Sequence, residues 1–302
     1  MKSAVCLFVR NEARDVQEWI AFHSLAGFDS QIIFDTSNDG TTELIQAASH
    51  HADIRFHDWP NRSRKSQALA YNAACKAYKL EFDWIAFLDS DEFFLTTDEQ
   101  PVNHFLAGFE GWSAIGVSWA LYGSSGYDDF PPGLVTECFT RRADTDFFPA
   151  RHVKSIIRPR AAVRCRNPHY FDMRKGVAGR YCDPCGTCLF WLHAPDAPGG
   201  VWRGVSAALP DYSVARINHY FTRSRAHWRA KVERGFLKGV PGRTFEEFAI
   251  YDRNEICDPI ALRHLGRLRE RLAVLRGEAA VGPSIVERAI PAHGDGRSRP
   301  LC

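Results

Sequence analysis

Three acidic residues lie within four positions of the chain, at Asp89, Asp91 and Glu92, directly after an apolar run and directly before Phe93 and Phe94. In an extended segment, residues i and i+2 point to the same side, so we expect Asp89 and Asp91 to face one way. Two such carboxylates repel each other unless a cation lies between them. Mg²⁺ and Mn²⁺ prefer oxygen ligands and share their coordination shell with substrate phosphates. By itself the tripeptide fits a metal site and its alternative, a helix N-terminus that attracts acids, about equally well. Its placement after the fourth strand of a series of strands and helices favours the metal site.

The elements that must position this tripeptide are predicted from the first third of the chain, where apolar runs alternate with helical spacing. Strand-like runs cover residues 4–9, 31–36, 54–59 and 84–89, and helical spacing covers residues 12–27, 41–48 and 63–80. Such a series predicts right-handed βαβ crossovers and an α/β fold with a mostly parallel sheet and helices on both faces. Ligands bind beyond the carboxyl ends of parallel strands. The polar residues expected there are Asn11, Glu12, Asp35, Asp89 and Asp91.

The pattern changes after residue 100. Further strands are predicted at residues 113–126, 133–142 and 152–159, irregular structure at 160–215, and helices at 224–239, 243–252 and 259–277. We divide the chain into a domain of residues 1–240, a helical C-terminal annex at 241–280 and a disordered tail at 281–302. Helically spaced leucines in the annex predict a helix that docks on the domain; a membrane anchor is the alternative.

The composition argues against several classes of protein. The chain has 302 residues, of which 45% are hydrophobic and 25% charged, as in an ordinary globular protein. A formal net charge of +2 gives no strong attraction to nucleic acid. No apolar run approaches the roughly 20 residues of a membrane span, although peripheral membrane association stays open. The N-terminal apolar run is too short for a signal peptide, so we expect a cytoplasmic protein.

Six segments follow one another in a recognisable order. They are VRNEARDVQEWIAFHSLAGFD, FDTSNDGTTELI, KSQALAYNAAC, WIAFLDSDEFF, VSWALYGSSG and NHYFTRSRAHWRAKVERG. In this order, over roughly residues 3–240, the chain resembles glycosyltransferases of the GT-A fold, closest to the family-2-like branch that includes the family-92 type. The resemblance implies a nucleotide-binding half at residues 1–100 and an acceptor half at 101–240. It also implies metal-dependent transfer of a sugar from a nucleotide sugar, most simply a UDP-sugar, to a glycan or lipid-linked acceptor.

The resemblance also implies roles for residues at the strand ends. Asn11 and Glu12 approach the nucleotide, and Asp35 accepts hydrogen bonds from uracil or ribose. Lys65, at the start of the third helix, faces nucleotide or phosphate, with a solvated surface lysine as its alternative. Asp89 contacts both the ribose and the metal.

The metal is implied to be Mn²⁺ or Mg²⁺ on the donor diphosphate, held by Asp89 and Asp91. A histidine from the C-terminal part often completes such a shell in GT-A folds. We place it at His219, with His169 as the rival. The side chains that would add positive charge near the leaving diphosphate are His152, Lys154, Arg223, Lys231 and Arg234.

An inverting transferase needs a carboxylate base to take the proton of the acceptor hydroxyl group. The candidates are Asp128, Asp129 and Glu137. The resemblance favours Glu137 for this role. For Glu137 the alternative is a structural salt bridge to Arg141 or Arg142. Trp119 is a candidate for stacking on a sugar ring, with a core position as its alternative.

Three cysteines, Cys182, Cys185 and Cys188, are separated by two residues each. Thiolates at this spacing bind structural Zn²⁺ or an iron–sulfur cluster when a fourth ligand is present, here His193 or Cys165. The alternative is a Gly/Pro turn with incidental cysteines.

Two other function classes fit the acidic motif. Nucleotidyltransferases and phosphohydrolases also pair aspartates with Mg²⁺, but their first strand usually runs into a glycine-rich basic loop, which VRNEARD lacks. A non-catalytic sugar- or zinc-binding module is the other alternative.

Overall fold

Helices and strands alternate through most of the chain in the computed structural model, which describes residues 1–60, 63, 65–174, 180–235 and 242–278. The helices in these residues are α1 (Val16–Leu25), α2 (Thr41–Ala48), α3 (Ser66–Tyr78), α4 (Val102–Ala107), α5 (Val135–Cys138), α6 (Arg225–Arg234), α7 (Glu247–Tyr251) and α8 (Leu265–Leu275). The strands are β1 (Ser3–Val9), β2 (Ser30–Asp35), β3 (Ile54–Asp58), β4 (Trp84–Leu88), β5 (Glu92–Thr96), β6 (Ala114–Leu121), β7 (Arg141–Arg142), β8 (Val153–Ile157), β9 (Ala162–Asn167), β10 (Tyr170–Met173), β11 (Tyr181–Cys182), β12 (Trp191–His193), β13 (Val201–Ser206), β14 (Ala215–His219) and β15 (Ile256–Cys257). Short 3-10 helices cover Phe148–Arg151, Pro159–Ala161 and Ile260–His264.

One large sheet organises these elements in the order β3–β2–β1–β4–β8–β6–β14–β5, and β11 pairs with β6. β1 is parallel to both β2 and β4, and β2 is parallel to β3. β8 runs antiparallel between β4 and β6, while β14 runs parallel to β6 and antiparallel to β5. The predicted α/β fold with a mostly parallel sheet is confirmed. The carboxyl ends of β1, β2 and β4 meet at one edge, as predicted.

Alternation along β1 shows how the sheet is buried on both faces. Val5 and Leu7 belong to an apolar cluster that includes Trp19 of α1. Cys6, between them, points to the other face and belongs to a cluster with Tyr71 of α3. Because strand side chains alternate with period two, a continuous apolar run is what a strand covered on both faces requires.

Residues 133–142 do not form the predicted strand. They form α5 followed by β7, so that prediction is wrong. The reason is a long-range contact, because the buried carboxylate of Glu18 accepts hydrogen bonds from the backbone N–H groups of Val135 (2.7 Å) and Thr136 (2.9 Å). The first N–H groups of a helix have no partner within the helix. By accepting hydrogen bonds from them, the Glu18 carboxylate stabilises the single turn of α5.

Residues 160–215 are also more regular than predicted. They contain the antiparallel pairs β9–β10 and β12–β13, and β11 joins the large sheet beside β6. Each strand has only two to six residues, and its partner is another short strand or a distant one. Pairing of this kind leaves little periodicity in the sequence.

The C-terminal helix α8 docks on the domain, as predicted. Leu268, Leu272 and Leu275 are buried in the same apolar cluster as α1. Within the described part of the chain, no helix is both long and apolar enough to cross a membrane. The predicted disordered tail at residues 281–302 lies outside the described residues.

Glu18 is expected to make the stability of this fold depend on pH. Burial raises the pKa of its carboxyl to about 7, although hydrogen bonds from Thr136 and Val135 favour the anion. The pKa of Glu18 in the folded state thus lies above the value near 4.3 of an unfolded chain. Between these two pKa values the unfolded chain releases the proton more readily than the folded one, so the free energy of unfolding falls as the pH rises. Between about pH 5 and about pH 8, we expect the wild type to lose about 2 kcal/mol of unfolding free energy relative to Glu18→Gln. Urea unfolding of both proteins at each pH measures this difference; parallel pH profiles would contradict it.

Candidate active site

The acidic tripeptide lies at the carboxyl edge of the sheet and borders a cavity of about 300 Å³, which we call the Asp91 cavity. Aspartates 89 and 91 face it together with several cations and aromatic rings. Its lining includes Arg10, Glu12, Gln67, Asp89, Asp91, Trp119, His169, His219, Phe221, Lys231, Arg234 and Arg243. The cavity therefore holds both carboxylates, which can bind a metal cation, and basic side chains, which can bind a phosphate.

Asp91 is buried between a histidine and a lysine. Its Oδ1 lies 3.3 Å from His219 Nε2, and its Oδ2 lies 2.9 Å from Lys231 Nζ. Burial raises the pKa of the Asp91 carboxyl, but the neighbouring charge outweighs burial and holds this pKa well below its usual range. Burial lowers the pKa of His219, so this ring is neutral and Lys231 is the cation that stabilises the anion. Asp91 is therefore ionised at neutral pH.

Asp89 has different partners from Asp91. Its Oδ2 lies 2.9 Å from Lys154 Nζ, and its Oδ1 accepts a 2.6 Å hydrogen bond from Gln67 Nε2. Both aspartates line the Asp91 cavity, although the backbone between them forms a turn rather than the extended segment expected from the sequence. The turn joins β4 to β5, which lie far apart in the sheet. The two carboxylates are consequently neutralised by two different lysines.

Lys154 is fully buried beneath this turn. Besides Asp89, its Nζ lies 3.3 Å from Glu92 Oε2, which also accepts a 2.8 Å hydrogen bond from the Asp89 backbone N–H. Burial raises the pKa of Glu92 well above its usual value. Burial opposes the charge on Lys154, yet the attraction of Asp89 and Glu92 outweighs it and raises the lysine pKa. Lys154 therefore holds the turn from below and fixes the position of the Asp89 carboxylate.

Glu12 connects the loop after β1 to α6. Its Oε1 lies 2.7 Å from Arg234 Nη1 and its Oε2 lies 3.2 Å from Arg223 Nη2. Arg223 also pairs with Asp15. Burial raises the pKa of Glu12, but Arg223 and Arg234 outweigh it and the pKa is lowered. The glutamate is thus an ionised anchor that keeps α6 over the carboxyl edge.

Three residues predicted to bind the donor lie outside the described lining of the Asp91 cavity. Asn11 borders a neighbouring cavity, and its backbone N–H donates to Ser37 Oγ (2.8 Å). The Asp35 carboxylate is occupied within its own loop, accepting from the Ser37 N–H (2.9 Å) and the Thr42 hydroxyl (2.6 Å). Lys65 is exposed at the start of α3. Their donor contacts stay predictions.

Of the two candidate histidines, the structure brings His219 to Asp91. His219 ends β14 and lies opposite Glu92 in the pairing with β5. His169 also lines the Asp91 cavity, but its Nδ1 bonds to the carbonyl oxygen of Val153 (3.0 Å). Pairing of β14 with β5 therefore explains why a residue so distant in the sequence reaches the acidic turn.

The donor set at Asp91 fits a divalent ion that takes its remaining ligands from a substrate. Asp91 offers an ionised carboxylate, and His219 is neutral, with its Nε2 3.3 Å from that carboxylate. Within the described residues, no three His, Cys, Asp or Glu side chains are grouped to hold a metal. A shell of one or two carboxylates completed by phosphates and water is typical of Mg²⁺. The geometry thus supports Asp91 and His219 as protein ligands, and the role of Asp89 as a third ligand stays a prediction.

The three carboxylates predicted as candidates for the base lie elsewhere. Glu137 is on α5, where its Oε1 lies 2.5 Å from Arg269 Nη2 rather than from either predicted arginine partner. It borders a separate cavity between α5 and α8. Asp128 is exposed and pairs with Arg225 at 3.0 Å, and Asp129 is also exposed. None of the three is among the described residues that line the Asp91 cavity, so the identity of the base stays a prediction.

The cysteine triplet does not converge in the structure. Cys182 is buried on β11, with its Sγ 3.6 Å from the carbonyl oxygen of Ala114. Cys185 is exposed, with its Sγ 3.5 Å from Asp211 Oδ2. Among the described residues, Cys182, Cys185 and Cys188 form no metal-binding group with His193 or Cys165, so the geometry gives the predicted Zn²⁺ no support.

Sequence reasoning gave too little weight to α6. Lys231 and Arg234 were candidates, but charged helix faces are usually solvated. In the structure both side chains reach into the site, Lys231 to Asp91 and Arg234 to Glu12. The sequence held a hint of this position. Because α6 begins only six residues after His219, where β14 ends, the helix must start near the carboxyl edge of the sheet.

The comparison with protein families gives one clear match. Residues 2–185 match the model of glycosyltransferase family 92. A family 92 protein of Arabidopsis thaliana is 29% identical over 188 residues, which is 57% of this chain and 32% of that protein. A family 92 protein of Oryza sativa subsp. japonica is 30% identical over 184 residues, which is 57% of this chain and 30% of that protein. The chain thus spans about a third of the length of these relatives.

Solved structures resemble the chain more weakly. Mannosyl-3-phosphoglycerate synthase from Rubrobacter xylanophilus is 18% identical, with a TM-score of 0.32 and coverage of 53% of each chain. Glucosyl-3-phosphoglycerate synthase from Mycobacterium tuberculosis is 17% identical, with a TM-score of 0.29, over 53% of this chain and 58% of that one. The family match extends from β1 to the turn after β11. It therefore includes the segments after β1 and β4, which contain Glu12, Asp89 and Asp91. This chain belongs to glycosyltransferase family 92.

Proposed function

We propose that the chain transfers a sugar from a nucleotide-sugar donor, in the first place a UDP-sugar, to a hydroxyl group of a glycan or lipid-linked acceptor. The observation that carries the proposal is the convergence of Asp91, His219 and Lys231 at the carboxyl edge of the sheet. Membership of family 92 supports the reaction class. The identity of the donor, the use of a metal ion and the class of acceptor belong to the proposal and not to the family match.

The cations around the Asp91 cavity suit a diphosphate leaving group. Lys231, Arg234 and Arg243 line the cavity from the side of α6 and the segment after it. Charge grows on the diphosphate as its bond to the sugar breaks, and positive groups already in place stabilise that charge without reorganising. Lys231 is pinned by Asp91 and by the carbonyl oxygen of Phe221, both 2.9 Å from Nζ. Its ammonium group is therefore held at the edge of the cavity.

Asp91 and His219 are the residues that would hold a divalent ion, and Asp89 would contact the donor ribose. When bound, Mn²⁺ or Mg²⁺ supplies Lewis-acid stabilisation of the diphosphate. The chain's own contribution is to keep Asp91 ionised, to keep His219 neutral and to orient both through β14 and the turn after β4. Gln67 and Lys154 hold the Asp89 carboxylate in a fixed orientation beside them.

A thermal-shift panel tests this proposal. UDP- and GDP-sugars are compared with UTP, each with Mn²⁺ and with EDTA. A UDP-sugar at a hundred times its Kd is expected to raise the Tm by roughly 4 °C with Mn²⁺ and much less with EDTA. Stabilisation by UTP but by no nucleotide sugar would favour nucleotidyl transfer instead. If no nucleotide sugar stabilises the protein with Mn²⁺, the proposed donor site is wrong.

A further inference from the structure

A row of aromatic rings leads from the Asp91 cavity to the protein surface. Trp119, which lines the cavity, lies 4.3 Å from the ring of His219 and stacks on His152 at 5.1 Å with an interplanar angle of 18°. The ring of His152 lies 6.2 Å from Trp202 and 6.3 Å from Phe148. The row therefore connects the candidate active site to two outer rings without a break.

The two outer rings, Phe148 and Trp202, form what we call the aromatic pair. Their centroids are 5.8 Å apart, and the planes are tilted by 39°. Phe148 is 42% exposed and Trp202 is 48% exposed. Half-covered rings held at a fixed angle offer their remaining faces to a ligand. Single exposed hydrophobic side chains are normal on a protein surface, whereas exposed rings in contact form a patch of the kind that marks a binding surface.

The backbone beneath the aromatic pair is well anchored. Phe148 begins a 3-10 helix, and His152 follows that helix with its Nδ1 bonded to the carbonyl oxygen of Pro149 (3.0 Å). Trp202 lies on β13, which contacts this segment through a bridge between His152 and Val205. The pair is thus built on paired elements, so little conformational entropy is lost when a ligand binds.

We propose that Phe148 and Trp202 form a subsite for a sugar unit of a glycan acceptor. The inference rests on the proposed function and names the acceptor class for the same site. An aromatic face carries partial negative charge and attracts the C–H groups on the apolar face of a pyranose ring. Two rings suit one or two sugar units and are too few to hold a lipid chain. Since His152 packs between the pair and Trp119 of the cavity lining, the pair lies near the cavity where the donor sugar would lie.

Direct binding of oligosaccharides tests the subsite. The panel consists of neutral gluco-, galacto- and manno-oligosaccharides of several sugar units, with dodecylphosphocholine micelles as the lipid comparison, and Kd is measured by calorimetry without donor. We expect at least one oligosaccharide to bind the wild type and to bind Trp202→Ala and Phe148→Ala about tenfold more weakly. Trp202→Phe keeps an aromatic face and is expected to restore most of the affinity.

The matched control is Phe190→Ala, because Phe190 is 71% exposed and has no ring contact with the aromatic pair in the described part of the chain. It should bind oligosaccharides as the wild type does. The Mn²⁺-dependent thermal shift with UDP-sugars should be the same in every variant as in the wild type. If the wild type shows no such shift, the proposed donor site is wrong, whereas the oligosaccharide measurements still test the subsite. The subsite is overturned if no oligosaccharide binds, if the alanine variants bind equally well, or if only micelle binding depends on the pair.

Discussion

Replacing Asp91 with asparagine is expected to lower turnover about a thousandfold or more and to remove the Mn²⁺-dependent part of donor binding. The substitution keeps the shape of the side chain but removes the charge that faces His219 Nε2 and Lys231 Nζ. Several kcal/mol of charge stabilisation at the diphosphate depend on that carboxylate, and each 1.36 kcal/mol corresponds to a factor of ten in rate. Transfer from a radiolabelled UDP-sugar and Mn²⁺ titration by electron paramagnetic resonance measure the two effects.

Asp196→Asn is the matched control, since Asp196 is exposed and the chemical change is the same. We expect it to behave as the wild type in both measurements. Circular dichroism and a melting curve are needed for Asp91→Asn, because the partly buried Lys231 loses its anionic partner and the fold is expected to lose about 1–3 kcal/mol. A folded Asp91→Asn protein that still binds Mn²⁺ and turns over within a few-fold of the wild type would contradict the proposed role of Asp91.

Much of the scaffold could be predicted because it depends on local patterns. The apolar runs at β1, β2 and β4 are buried on both faces and separated by helices, and that spacing permits little besides a parallel sheet. Asp89 and Asp91 directly follow β4, so their position at the carboxyl edge follows from the same pattern. The end of β14 was harder to place, since nothing local requires His219 to lie opposite Glu92. The resemblance to known glycosyltransferases supplied His219 as a candidate metal ligand but not this strand pairing.

The errors come from contacts between residues far apart in the sequence. The carboxylate of Glu18 stabilises a helix at α5 more than a hundred residues later, so local propensity for a strand at 133–142 was overridden. The orientation of Asp89 and Asp91 depends on which lysine each one meets, and those lysines come from β8 and α6. An Asp-x-Asp pattern gives the position of both carboxylates in the chain but not the direction of either.

The acidic side chains of the site are neutralised by basic side chains that lie far away in the sequence. Three acids of the site each pair with a cation from another part of the chain: Asp91 with Lys231 of α6, Asp89 with Lys154 of β8, and Glu12 with Arg234 of α6 and with Arg223, which precedes α6. Buried ions are tolerated when paired, whereas removing one partner leaves a charge without compensation. Substitution of the buried cations should therefore affect the fold as well as the reaction, and the largest effect is expected at the most deeply buried one.

Replacing Lys154 with methionine is expected to cost about 3 kcal/mol of unfolding free energy. Its ammonium group is fully buried and lies 2.9 Å from Asp89 and 3.3 Å from Glu92, so the variant leaves two acids facing a methyl group. Urea unfolding at neutral pH measures the loss. The double variant Lys154→Met, Glu92→Gln removes one of the stranded acids and is expected to recover part of it, since the two sites share one interaction.

The matched control for this stability effect is Lys76→Met, the same change at an exposed position of α3, for which we expect a difference within about 0.5 kcal/mol. Because Lys154 also orients Asp89, the variant should bind a UDP-sugar more weakly even where it is fully folded. A Lys154→Met protein as stable as Lys76→Met would mean that Asp89 and Glu92 do not depend on this lysine. A destabilised variant that the Glu92→Gln change fails to improve would assign the loss to the packing of the Lys154 side chain rather than to its charge.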